Sequence, residues 1–104
     1  MEFEQIPHHM RLTWEQVAKY TALYEFLDGE RKVVLAKLAS GFDGSEATRE
    51  RQALASTEYC IHLEGIKEAR HEMLKAKTHY ESLQALFELH RTKSADRRSE
   101  MKMI

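Results

Sequence analysis

Six histidines, one cysteine and a scatter of carboxylates are the side chains that could do chemistry in this 104-residue sequence. Glu68 and His71 form a Glu-x-x-His step, half of the ligand motif that di-metal helical bundles use. A full site needs a second such step and two further glutamates facing inward, and Glu15, Glu25 and Glu30 do not have that placement, so no metal or other cofactor is expected. His62 and His90 fall on an apolar helical line, where a hydrogen-bonded interface histidine is the simpler reading. His8 and His9 follow Pro7 in what reads as a solvated arm. Cys60 lacks a Cys-x-x-Cys partner and reads as a buried or half-buried thiol. With no glycine-rich phosphate loop, nucleophile elbow or His-Glu-x-x-His, the chain is expected not to be an enzyme.

A second cluster is electrostatic. Arg91, Lys93, Arg97, Arg98 and Lys102 gather near the C-terminus with Asp96 and Glu100 among them, and they are the candidate nucleic-acid contacts. The bland alternative is a solvated helix end, where cations complement the dipole. Net charge is −1, but residues 1–64 carry 7 Lys/Arg against 11 Asp/Glu, while residues 65–104 carry 9 against 6. An acidic front and a mildly basic tail suit pairing between chains.

The elements that position these residues are helical. One proline and four glycines interrupt a chain with 42% hydrophobic and 32% charged residues, a balance found in helical bundles and coiled coils. Residues 1–12, with Pro7 and no sustained period, read as an irregular arm. Thr13 and Gln16 have capping-box spacing, so a first helix is expected from there to about Ser40. Its seam runs Val17, Tyr20, Tyr24, Leu27, Arg31, Val34, Leu38 in steps of three and four, broken only by Arg31, which must find an acid or reach water. Leu23, Phe26 and Val33 lie off the seam, leaving more apolar surface than one antiparallel neighbour covers.

Gly41-Phe42-Asp43-Gly44 stops that helix, Ser45 is a cap for the segment from Glu46 to Ala55, and a break is expected near Ser56. From Tyr59 the steps of three and four persist through His62, Ile66, Ala69, Met73, Ala76, Tyr80, Leu83, Phe87 and His90, the signature of a long helix in a bundle. The fold class is therefore all-α: an antiparallel helical hairpin over residues 13–98 with one long C-terminal helix, followed by a frayed tail at 99–104. Because the long helix outruns the first, Ala76, Tyr80, Leu83, Leu86, Phe87 and Leu89 are expected to form the interface of a homodimer.

The stretch from Tyr59 to Met101, with Ala69-Arg70, Ala76-Lys77, Tyr80-Glu81 and His90-Arg91-Thr92-Lys93-Ser94-Ala95-Asp96-Arg97-Arg98, resembles small helical proteins of bacteriophages and prophages. Glu25-Phe26-Leu27-Asp28-Gly29-Glu30-Arg31-Lys32 adds to the same resemblance. It implies a protein that binds and modulates another macromolecule, with a host or phage protein as partner, and it assigns no site residue. The runner-up is a DNA- or RNA-binding accessory factor in recombination or replication. A single cysteine, and no signal-like or spanning apolar run, lead to the expectation of a cytoplasmic protein without membrane contact.

Overall fold

The computed structural model describes residues 1–103 and is all-helical there. A 3-10 turn at Phe3–Gln5 leads into α1 (Ile6–Gly29), followed by α2 (Arg31–Ala39), α3 (Glu46–Leu54) and α4 (Thr57–Met103). The chain divides into two compact units, a terminal one made of Met1–Ala18 with the described part of Leu74–Ile104, and a middle one, Lys19–Met73.

The first helix begins seven residues before the expected Thr13. Residues 1–12 are not an irregular arm, and Pro7 is the reason they were mistaken for one. Proline in the first turn of a helix gives up no bond, because N–H groups there have no intrahelical acceptor, and its fixed φ already suits the helix. Ahead of it, the Glu2 N–H donates to the Gln5 side-chain carbonyl at 3.1 Å. Thr13 is not a cap; it is buried within α1. The true seam starts at Ile6, fully buried, and continues through Met10, Thr13 and Val17, in the same steps of three and four.

In the middle unit, α1 gives way to α2 at Glu30, yet the Glu30 N–H donates to the Phe26 carbonyl and the Val34 N–H to that of Glu30, so helical bonding carries across. Arg31, placed on the seam from sequence, is exposed and pairs with Asp28 at 2.6 Å. An exposed pair of this kind contributes at most about 1 kcal/mol, so an Arg31→Leu chain is expected to melt within roughly 0.5 kcal/mol of the parent; a clear gain in stability by thermal denaturation would put Arg31 back in the seam.

The stop after α2 follows the glycines. Gly44 has φ +112°, a conformation open to glycine and strained for other residues, and Ser45 then caps α3, its Oγ accepting from the Thr48 N–H at 3.3 Å. The break expected near Ser56 is present. Ser56 Oγ donates to the Ala53 carbonyl at 2.6 Å and accepts from the Tyr59 N–H at 3.2 Å, tying the end of α3 to the start of α4.

All ten seam positions of α4 point inward. Tyr59, Ile66, Ala69 and Met73 are buried in the middle unit with His62 half-buried, and Leu83 is buried in the terminal unit with Ala76, Tyr80, Phe87 and His90 half-buried. The helix continues past Ser99, where the tail was expected to begin. It is helical to Met103, and Ile104, the end of the expected tail, lies outside the described residues. No helix among the described residues is long and apolar enough to cross a membrane.

Candidate interaction surface

The terminal unit is held by aromatic contacts that run antiparallel. Phe3 stacks on Phe87, ring centroids 5.2 Å apart and 18° between planes, and also meets His90 at 5.6 Å. Further along, Trp14 lies over Tyr80 at 5.0 Å. Between these two contacts Leu83 is only 4% exposed. A shallow cavity of about 400 Å³ beside them is lined by Pro7, Met10, Trp14, Tyr80 and Phe87.

These contacts remove the premise of the expected dimer interface. Phe87 and Tyr80 are met by Phe3 and Trp14 of the chain's own N-terminal segment, Leu83 between them is buried, and Ala76 and Leu86 are half-buried. Leu89 alone of the six is exposed, at 50%. Phe3 is the residue that sequence reasoning missed. Its spacing to Ile6, Met10, Thr13 and Val17 continues the three-and-four steps and was the available signal.

Beyond the Phe3–His90 contact, α4 continues without cover. Every residue from Arg91 to Lys102 is exposed, including all five candidate nucleic-acid contacts Arg91, Lys93, Arg97, Arg98 and Lys102. Arg91 reaches back to Glu88 at 3.4 Å, and the Arg98 Nε–H donates to the Ser94 carbonyl at 3.4 Å. Among the described residues no ion pair engages Asp96 or Glu100, so they neutralise none of the cations by direct contact.

The middle unit offers different surfaces. Phe26 and Ile61 are 64% and 65% exposed, and Leu23 and Val33 are also exposed, as their off-seam placement in the sequence requires. A groove of about 400 Å³ runs between Tyr20 and Leu23 on one helix and Gly65, Glu68 and Glu72 on the other. His62 is half-buried, and its Nε2–H donates to the Leu27 carbonyl at 2.9 Å. A carbonyl can only accept, so Nε2 is the donor here, and the contact gives His62 a structural task at the end of α1. Cys60 is exposed, contrary to the buried or half-buried thiol expected, because it lies one position off the seam. Glu68 and His71 are both exposed, and among the described residues no group of three or more His, Cys, Asp or Glu side chains could hold a metal ion.

No family model, curated protein or solved structure matches this chain.

Proposed function

We propose that the protein is a non-catalytic interaction module whose working surface is the uncovered end of α4. One observation carries the reading: from Arg91 onward a helix in continuous register with a packed hairpin leaves every described side chain through Lys102 in water. A segment with no packing partner adds little to its own fold, and short helices without such packing are marginal in water. A charged, solvent-exposed extension of a packed helix fits a role in contacting another macromolecule. The resemblance to small phage proteins expected from the sequence is in keeping with the same class of activity. A second copy of the chain and a host or phage protein, the partners expected from sequence, would dock elsewhere than on Tyr80, Leu83 and Phe87; besides the end of α4, the middle unit exposes Leu23, Phe26, Val33, Leu54, Ile61 and Leu63.

Truncation tests the reading. A chain ending at His90 is expected to melt within about 3 °C of the parent, since it loses only exposed residues and one exposed ion pair, each within a few tenths of a kcal/mol. The same truncation should abolish partner binding. A large fall in melting temperature would make the segment a structural part of the hairpin and overturn the reading.

A further inference from the structure

We infer that the end of α4 binds the phosphate backbone of duplex DNA, with Arg91, Lys93, Arg97, Arg98 and Lys102 as the contacts. The inference rests on the reading of this segment as the binding element and names its partner. Between Arg91 and Lys102 there are five cationic and two acidic side chains, a local charge of +3 on a chain whose total is −1. Residues on an α-helix follow one another by about 100°, which places all five cations within roughly half of the circumference. That half is centred on the line through Ser94 and Met101, the continuation of the seam, while Asp96 and Glu100 sit together outside its border. The face that is apolar where the first helix covers it becomes basic where the cover ends.

The composition of that face separates the candidate partners. A partner helix in a coiled coil needs apolar seam positions, and here they become Ser94, Arg97 and Met101, with arginine at the core site. A membrane surface needs a broad apolar face opposite the charges, and Met101 is the lone large apolar side chain from Arg91 to Lys102. Phosphates require neither. Arg91 to Lys102 spans about 16 Å of helix axis, a length over which a B-form duplex carries about five phosphates on each strand. An α-helix is also of a width that the B-form major groove admits, whereas the A-form groove of duplex RNA is too narrow.

The test is fluorescence anisotropy of the full chain with a labelled 20-base-pair DNA duplex of mixed sequence, starting at about 50 mM salt, where phosphate contacts are favoured. If all five cations engage, affinity should fall about 500-fold between 50 and 200 mM salt. Replacing the five with glutamine should abolish binding while circular dichroism and melting stay near the parent's. The opposite change, Asp96→Asn with Glu100→Gln, should tighten binding several-fold and weaken none of the helix. Scrambling the duplex sequence should change little, since phosphate contacts carry no base information. The inference is overturned by absence of binding at 50 mM, by undiminished binding of the glutamine variant, or by equal affinity for duplex RNA. Binding to phosphatidylserine vesicles in place of DNA would overturn it as well. None of these results touches the truncation experiment, so a failed DNA assay with an unchanged melting temperature leaves the interaction module standing and removes only its assigned partner.

Discussion

A Leu83→Glu chain is expected to lose the folded terminal unit, with a stability loss above about 4 kcal/mol. Leu83 is 4% exposed and lies between the Phe3–Phe87 stack and the Trp14–Tyr80 contact. Removing a buried leucine side chain alone costs roughly 2–5 kcal/mol, and a carboxylate in its place has no cation on the seam to meet it, which adds a desolvation cost of several kcal/mol or forces the helices apart. Domains of this size hold about 5–15 kcal/mol in total, so the loss is a large part of the whole. Trp14 is the single tryptophan, which makes the measurement specific: its near-ultraviolet dichroism and emission report the Tyr80 contact directly. The control is Leu89→Glu, at a 50% exposed position on the same helix, expected to shift stability by no more than about 0.5 kcal/mol. Equal effects at the two positions would mean that Leu83 faces solvent in the single chain and is covered only by a second one.

The contrast between Leu83 and Leu89 shows what the sequence made legible. The seam of α4 could be read because its period survives for ten positions, from Tyr59 to His90, and a pattern of that length admits one register. What covers the seam could not be read in the same way, since that depends on where a distant helix begins. Two local signals placed that start wrongly. Pro7 resembles a helix breaker unless its position in the first turn is known, and Thr13 with Gln16 reproduces the spacing of a capping box in the interior of α1. The seven residues lost by that error are the ones that bring Phe3 and Ile6 to Phe87, His90 and the rest of the terminal core. Ser45 and Ser56 were legible because each cap acts within three or four residues of itself. The basic cluster was legible as a list of charges. Its exposure was not, because exposure depends on how far along α4 the N-terminal segment makes contact, and the contacts of Phe3 reach Phe87 and His90. The His62 bond to the Leu27 carbonyl, across 35 residues, left no local trace beyond the seam position itself.

The start of α1 makes the second large effect. Among the described residues Ile6 is the one large side chain with no exposed surface, and Ile6→Ala is expected to cost roughly 2–5 kcal/mol through lost transfer energy and the cavity left behind. For a domain of about 100 residues that corresponds to a fall in melting temperature of roughly 10–30 °C. An unchanged melting temperature would return residues 1–12 to the status of an irregular arm. Deleting those residues outright goes further, because it uncovers Leu83 and Phe87 together, and each such side chain is worth roughly 1.5–3 kcal/mol when fully buried. A tethered helix competes for this surface at an effective concentration of about millimolar or more, far above the micromolar concentration of a second chain, so the intact protein satisfies the seam internally. Once the tether is gone, the uncovered seam has only other copies to pack against, and closed symmetric pairs are the commonest outcome. Light scattering after gel filtration at tens of micromolar should therefore give a doubled mass for the chain lacking residues 1–12, and Leu83→Glu in that background should return it to the monomer mass with greatly reduced helicity. A truncated chain that stays monomeric and fully helical would show that the first helix is not what covers Leu83, and the terminal unit described above would have to be rebuilt.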